Sequence, residues 1–165
     1  MRTKKTDLLE TLPLPVERFS SGEAARILGT KMRRLNNFLE NYPLSSSGQL
    51  GKGRGSRRMF SREDLYRIAV ASRLIRDGFT PKLVVRVLQD IEDRDLIDVD
   101  EHMRTTRIGI LFRRGKTRPQ LDFFKSGHAG ETKADSSVYY ALDLGSEVMD
   151  EIDRRIQKSQ SVRKR

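Results

Sequence analysis

A glycine- and arginine-rich segment stands between two helix-forming regions, and this order constrains the fold more than any other feature of the sequence. The segment, GQLGKGRGSRRMFS, covers residues 48–61. A short helix pair precedes it, and another helix follows it. A helix-turn-helix with a basic hairpin behind it is a recurrent way to place one helix in a DNA groove and to hold it on the phosphates. The order therefore predicts a helix pair with a basic hairpin as its wing.

Capping signals mark the starts of two helices in this region. Ser20 is followed three residues later by Glu23, and Ser61 is followed three residues later by Asp64. Both pairs have the spacing of a capping box, in which each side chain accepts a hydrogen bond from the other residue's backbone N–H. We therefore expect helices to begin directly after Ser20 and Ser61.

Glycine and proline mark the other helix ends. Gly29 is expected to stop the first helix, and Gly78 is expected to stop the helix that follows the wing. Thr30 is expected to cap a second helix directly after the first, and Thr80 is expected to cap a helix with Pro81 at its first position. The second helix has an apolar face at helical spacing. Its members are Met32, Leu35 and Leu39 or Phe38.

The C-terminal half follows a different pattern. Residues 90–101 contain seven acidic residues and one arginine, and this stretch marks a boundary. Beyond it, three short β-branched or aromatic runs, at 108–112, 121–124 and 138–144, are separated by Gly, Pro and Ser. These runs predict a small antiparallel sheet. A closing helix is then indicated by apolar residues at four-residue spacing. They are Val148, Ile152 and Ile156.

The positive charge lies mainly in the N-terminal half. Of the formal net charge of +10, residues 1–80 contribute +8, from 16 Lys/Arg and 8 Asp/Glu. Residues 81–165 contribute only +2, from 17 Lys/Arg and 15 Asp/Glu. A polyanion is the natural partner of such a half, because each neutralised phosphate releases a condensed counterion.

Several classes of protein are disfavoured by what the sequence lacks. Without cysteine there are no disulfides, thiolate metal sites or cysteine nucleophiles. His102 and His128 are the only histidines and have 25 residues between them, and we expect neither a metal site nor another cofactor. No segment has the ~20 apolar residues of a membrane span, and residues 1–19 lack the apolar run of a secretion signal. We expect a cytoplasmic, nucleoid-associated protein with no membrane partner.

Polar residues of the second helix are the candidates for reading DNA bases. Arg can bind guanine O6 and N7 with two hydrogen bonds, and Asn can do the same to adenine N6 and N7. The predicted base-reading set is Lys31, Arg33, Arg34, Asn36 and Asn37. In the wing, cations alternate with small residues, which lets the backbone approach phosphates and fix position rather than specify sequence. The predicted phosphate-binding set is Lys52, Arg54, Arg57 and Arg58.

These segments resemble a known family. The runs FSSGEAARILGTKMRRLNNFLE and GSRRMFSREDLYRIAVASRLIRDGFTPKLVVRVL are similar to the winged helix-turn-helix of MerR-type transcriptional regulators, over residues 19–88. The resemblance places Arg58 and Phe60 at the wing's Arg and aromatic positions. Asn36 and Asn37 stand where members commonly have an Arg-Tyr pair. The implied fold is α+β: an N-terminal winged helix-turn-helix of MerR type, followed by the small antiparallel sheet and a C-terminal helix.

The resemblance implies a homodimer that binds a palindromic operator in double-stranded DNA and regulates transcription. The dimer is expected to form through the helix from Pro81 or through the sheet. The expected organisation is a flexible arm at residues 1–18, the winged DNA-binding domain at 19–80, a connecting or dimerisation helix with an acidic linker at 81–104, a dimerisation, effector or partner domain at 105–157 and a basic tail at 158–165.

Alternative functions remain open at this stage. A DNA-architectural, excisionase-like or plasmid-maintenance factor would bind DNA and recruit a protein through residues 105–157. An RNA- or protein-binding adaptor fits less well, since the narrow major groove of A-form RNA does not admit a helix. An enzyme is not expected: the glycine ribbon does not complete a phosphate-binding loop, and Asp150 and Asp153 are expected on a solvated helix face. Aromatic residues of the sheet are expected in the core or at a dimer face rather than around a ligand. They are Phe112, Phe123, Phe124, Tyr139 and Tyr140.

Overall fold

The N-terminal half folds as helices around a short two-stranded ribbon. The computed structural model describes residues 17–42, 58–93, 106–112, 120–125 and 138–163. In chain order the first elements are β1 (Phe19–Ser20), α1 (Ser21–Ile27), α2 (Met32–Asn41), β2 (Met59–Phe60), α3 (Arg62–Arg76) and α4 (Pro81–Asp93). β1 and β2 are antiparallel, with Phe19 opposite Phe60.

Both predicted capping boxes are confirmed. The Ser20 hydroxyl accepts a hydrogen bond from the Glu23 backbone N–H at 3.4 Å, and the Glu23 carboxylate accepts one from the Ser20 N–H at 2.9 Å. At α3, the Ser61 hydroxyl accepts from the Asp64 N–H at 3.2 Å, and the Asp64 carboxylate accepts from the Ser61 N–H at 2.9 Å. Each box satisfies two backbone donors that the first turn of a helix leaves without partners.

The turn between α1 and α2 is as tight as expected, but its capping residue differs. Gly29 ends α1 in the left-handed region, at φ 66°. The Thr30 N–H donates to the Ala25 carbonyl at 2.9 Å, so this residue still closes α1. Lys31, with extended backbone, is the N-cap of α2, and the prediction of Thr30 was wrong. The prediction that Met32 belongs to the buried face was also wrong. It is the first residue of α2 and is 52% exposed, while packing into the core begins one turn later at Leu35, which is 1% exposed.

The predicted sheet is present. β3 (Thr106–Phe112), β4 (Gln120–Lys125) and β5 (Val138–Asp143) form an antiparallel sheet in the order β4-β3-β5. In register, Ile108 lies opposite Leu142, and Ile110 lies opposite Tyr140. Because side chains alternate along a strand, these residues share one face. Ile108, Ile110 and Leu142 are fully buried on it.

The closing helix is also confirmed. A π-helical turn, Gly145–Met149, leads into α5 (Asp150–Arg163). Val148, Ile152 and Ile156 are buried, as their four-residue spacing predicts. α5 packs against α1 and α3, and buried side chains from both halves of the chain form one hydrophobic core. The C-terminal helix is therefore seated on α1 and α3.

α4 also contributes its apolar face to this core. Val84, Val87 and Ile91 are fully buried within the protomer. The helix begins at Pro81, and the Thr80 carbonyl accepts the backbone N–H groups of Leu83 and Val84. It is described as far as Asp93, and most of the acidic stretch that was expected to mark a boundary lies outside the described residues. In the part of the chain that the structure describes, no helix is long and apolar enough to cross a membrane.

Candidate nucleic-acid interface

One side of α2 is held in the core and the other is open to solvent. Leu35 is 1% exposed, and Phe38 and Leu39 pack half-buried against the core. Phe38 stacks on Tyr42 with ring centroids 4.6 Å apart. The five side chains predicted to read bases are all exposed. They are Lys31, Arg33, Arg34, Asn36 and Asn37.

These five side chains do not share one face. An α-helix turns by roughly 100° per residue. Arg33 and Asn37, two positions on either side of Leu35, thus lie opposite the buried face. Arg34 and Asn36, one position on either side of Leu35, lie on opposite flanks of the helix. Arg33 and Asn37 are therefore the pair best placed to enter a groove that α2 faces with its exposed side.

Met32 was missing from the predicted interface because its spacing assigned it to the core. It is half exposed at the start of α2, next to the turn. An apolar side chain in this position can contact the methyl group of thymine in a major groove. The exposure of Met32 could have been predicted from its place at the first position of the helix, where neighbouring helices bury side chains least.

The base of the wing is fixed, whereas most of its cations lie outside the described residues. Lys52, Arg54 and Arg57 belong to that undescribed part. Arg58, directly before β2, is half-buried, and its carbonyl accepts a hydrogen bond from the Ser21 hydroxyl at 3.4 Å. Its ribbon neighbour Phe60 is 1% exposed. The aromatic residue therefore anchors the wing in the core beside the start of α1.

Two further cations lie close in sequence to the elements that would meet DNA. Arg18 directly precedes β1, and Arg26 is in the last turn of α1. Both are exposed. They were missed because neither belongs to the second helix or to the ribbon. Exposed arginines of this kind can bind phosphates without reading sequence.

Residues 19–91 match the family described as MerR HTH family regulatory protein. The N-terminal half is a MerR-type DNA-binding module. This module supports a DNA-binding regulator of transcription, and the resemblance noted over residues 19–88 is confirmed. A comparison with curated proteins finds no match to the chain. The matched part ends within α4, so the sheet and α5 lie beyond the MerR-type module.

α5 is fastened to the MerR-type module through a buried carboxylate. The Tyr66 hydroxyl on α3 donates to Asp153 Oδ1 at 2.6 Å, and Arg62 Nη1 lies 3.6 Å from the same oxygen. Asp153 is only 9% exposed, so its expected place on a solvated face was wrong. Burial alone would lower the pKa of Arg62. The hydrogen bond to Glu17, at 2.7 Å, and the charge of Asp153 outweigh this effect and raise the pKa.

A second link joins α5 to the turn of the helix pair. Arg155 Nη1 donates to the carbonyl of Ile27, the last residue of α1, at 3.1 Å, while its Nη2 pairs with Glu151. The guanidinium lies directly over Gly29, where an added Cβ would be 2.8 Å from Nη1. A side chain of the C-terminal helix thus occupies space that any other residue at position 29 would need.

A third link joins the sheet to the end of α3. The Tyr140 hydroxyl donates to Asp77 Oδ2 at 2.5 Å, and Arg73 Nε donates to the same oxygen at 2.9 Å. Burial would raise the pKa of Asp77, but these hydrogen bonds outweigh it and lower the pKa. Burial, and then the bond to Asp77, raise the pKa of Tyr140. The Tyr140 ring also meets Phe79 edge-on, with centroids 4.7 Å apart, in keeping with the predicted core role.

No arrangement typical of a metal site is found in the described part of the chain. Within residues 17–42, 58–93, 106–112, 120–125 and 138–163, no three His, Cys, Asp or Glu side chains are grouped so as to hold a metal ion. Between elements, the fold brings carboxylates together with arginines and tyrosines. Their geometry fastens the C-terminal elements to the MerR-type module.

Proposed function

We propose that the protein is a dimeric, sequence-specific regulator that binds a palindromic operator with α2 in the major groove. The observation that carries the proposal is the division of α2 into a face fixed by Leu35 and an opposite face with Arg33 and Asn37 exposed. A helix that is locked in its fold can present side chains to base edges in one orientation. That is the condition for direct readout in a groove.

Arg33 and Asn37 are the proposed base readers. One bidentate contact from either side chain discriminates between bases by about 1–3 kcal/mol. Arg34 and Asn36, on the two flanks of α2, reach the walls of the groove and the backbone there. Lys31, at the N-cap, neutralises a phosphate, and Met32 contacts a thymine methyl group. These roles divide the predicted set by its position around the helix.

The wing is proposed to hold the backbone beside this groove. Arg58 stands at the fixed base of the ribbon, and the remaining wing cations Lys52, Arg54 and Arg57 extend the contact along the phosphates. Such contacts add affinity that is independent of sequence and falls with salt. Between residues 31 and 58 the chain has seven Lys/Arg and one acidic residue, which supports this role.

Dimerisation is proposed because one small module offers too little surface for tight specific binding. The interface is placed in residues 81–104 or in the sheet domain at 105–157, which is also the candidate surface for a protein partner. Val84, Val87 and Ile91 are already buried inside the protomer. A dimer contact through α4 would therefore use its other faces.

Selection of bound sequences from a randomised duplex pool, with the full-length protein at ~150 mM salt, tests the proposal, because that salt suppresses counterion-driven binding. We expect enrichment of an inverted repeat. A set of closely spaced sites coated cooperatively would instead favour the architectural, partner-recruiting alternative. Binding without any enriched sequence, which fades as salt rises, would contradict the proposed base reading.

Substitutions then separate base readers from phosphate contacts. Arg33→Ala and Asn37→Ala should each relax preference at one base position of the selected repeat. Arg58→Ala should weaken all duplexes about equally and reduce the salt slope by about one. Arg154→Ala, an exposed arginine on α5, is the matched control and should change neither. If Arg33→Ala and Asn37→Ala both left the selected sequence unaltered, the assignment of α2 as the reading helix would be wrong.

A further inference from the structure

A cavity of about 500 Å³ lies where α2, α3 and the C-terminal helix meet. Its apolar lining comes from all three elements and includes Phe38, Ile68 and Ile152. Pockets for small organic ligands typically measure about 300–1,000 Å³ and are mainly apolar with a few polar groups. The size of this junction cavity falls within that range, whereas its lining is almost as polar as it is apolar and the cavity is partly open to solvent. The cavity lies between the MerR-type module and the elements beyond it.

The polar groups of the junction cavity are predominantly cationic. Four arginines and two glutamates line it. Each glutamate already has an arginine partner: Glu147 pairs with Arg73 at 3.2 Å, and Glu151 pairs with Arg155. Of the two other arginines, Arg76 has only a distant contact with Asp77, at 3.9 Å. Arg34 forms no ion pair with another described residue.

We propose that the junction cavity binds a small organic anion with an apolar body, and that its occupation weakens DNA binding. The apolar wall would hold the body of the ligand, while Arg34, and Arg76 beside it, would hold the anionic group. A charge-assisted hydrogen bond of this kind is roughly twice as strong as a neutral one. A cation would be repelled by Arg34 and by Arg76, whose contact with Asp77 is distant.

The coupling to DNA follows from the position of the lining residues. Arg34 lies both in the cavity wall and on the flank of the proposed reading helix, so it cannot serve an anionic ligand and DNA at once. Arg155, also in the wall, hydrogen-bonds the last carbonyl of α1 above the turn that leads into α2. A ligand that binds either arginine therefore competes with DNA for α2 or disturbs the turn that positions α2. This step rests on the proposed function, whereas the cavity itself does not.

Titration of the full-length protein with anilinonaphthalene sulfonate, an aromatic sulfonate whose fluorescence rises in apolar sites, tests binding. We expect one saturable site per protomer. The uncharged relative phenylnaphthylamine, with the same body but no sulfonate, should bind about tenfold more weakly. Unsaturable fluorescence, or equal affinity for the two probes, would overturn the anion site.

Variants place the probe within the cavity. Ser72→Trp fills the cavity from α3, and Arg34→Ala removes the proposed anion contact; each should weaken probe binding about tenfold. Arg33→Ala removes the neighbouring arginine that points away from the cavity, and it should leave probe binding unchanged. If either Ser72→Trp or Arg34→Ala misfolds, the other variant still tests the site. If all three variants bound the probe as the wild type does, the probe would occupy another surface and the proposal would fail.

Competition with the duplex obtained by selection tests the coupling. Saturating sulfonate probe should raise the apparent Kd of the wild type for DNA about tenfold and should leave that of Ser72→Trp unchanged. A wild-type Kd that does not respond to the bound probe would overturn the coupling. If no duplex were bound at all, the proposed reading of DNA would fail. The probe titration would still decide whether the cavity binds anions.

Discussion

Replacing Tyr66 by phenylalanine should reveal how firmly α5 is held on the MerR-type module. The tyrosine is 2% exposed, and its hydroxyl donates to Asp153 Oδ1 at 2.6 Å from the other end of the chain. Removing a donor from a buried charged acceptor costs about 1.5–3 kcal/mol. Arg62 stays 3.6 Å from the same oxygen and continues to neutralise it. We therefore expect a loss near the middle of this range, about 2 kcal/mol in the free energy of unfolding.

Urea denaturation measures this loss as a lower midpoint with an unchanged slope, because the substitution alters little of the surface that unfolding exposes. For a chain of this length, about 2 kcal/mol corresponds to a fall in Tm of roughly 4–8 °C. Tyr140→Phe is the matched control. Its hydroxyl also donates to a carboxylate, Asp77, but the bond is exposed to solvent, so the expected loss is about 1 kcal/mol or less.

Equal losses for the two phenylalanine variants would refute this reasoning. That result would mean that the Tyr66 hydroxyl is as well solvated as the Tyr140 hydroxyl, and that α5 does not cover it. Asp153→Asn provides a second check, since the amide oxygen still accepts from Tyr66 while the charge facing Arg62 is lost. It should be less stable than the wild type but should keep the phenol hydrogen-bonded.

Three further predictions concern the turn, a cap and pH. Gly29→Ala should destabilise the protein by about 1–2 kcal/mol through the left-handed backbone alone. The loss should be larger in the wild type than in an Arg155→Ala background, since the added Cβ displaces the guanidinium that binds the Ile27 carbonyl. Equal losses in urea denaturation would show that displacing the guanidinium costs no stability. Ser61→Ala should destabilise the protein by about 1 kcal/mol through the loss of the hydroxyl that caps α3, and an unchanged urea midpoint would contradict the cap. The pKa of Asp77 is lower in the folded protein than in the unfolded chain, where it is ~3.9. The contribution of this carboxylate to the free energy of unfolding is therefore fully present above the unfolded pKa, and it is lost as the pH falls through the folded pKa. The stability advantage of the wild type over Asp77→Asn should accordingly disappear on acidification, and an advantage that stayed constant down to pH ~2 would exclude this linkage.

The helices and strands were largely predictable because their signals are local. A capping box places its partners three residues apart, so Ser20 with Glu23 and Ser61 with Asp64 could be recognised without knowledge of the fold. Short β-branched or aromatic runs, separated by Gly, Pro and Ser, in the same way predicted the three strands of the sheet. Two of the errors arose at an element boundary, where Thr30 was taken for a cap and Met32 for a core residue. Both depend on which neighbours cover the first turn of α2, and spacing along the chain does not contain that information.

The candidate interface was predictable as a set of residues but not as a geometry. The sequence places five polar residues on one helix, and the resemblance to MerR-type regulators predicts that this helix contacts DNA bases. Only the burial of Leu35 orients the helix, and this orientation turns Arg33 and Asn37 outward while Arg34 turns toward the junction cavity. Arg18 and Arg26 were missed for a related reason, since exposure depends on what the rest of the chain covers.

By itself, the sequence determined the order of elements, the caps that start them and the basic character of the DNA-binding half. The tertiary structure alone decided that α5 rests on α1 and α3, that Asp153 is buried against Tyr66, and that Arg155 lies over Gly29. The partners in these contacts are separated by 87 residues for Tyr66 and Asp153, and by 128 for Ile27 and Arg155. Local hydrogen bonds and periodicity act over a few residues and can be read along the chain. Contacts between distant residues form only when the packing of the whole core brings them together.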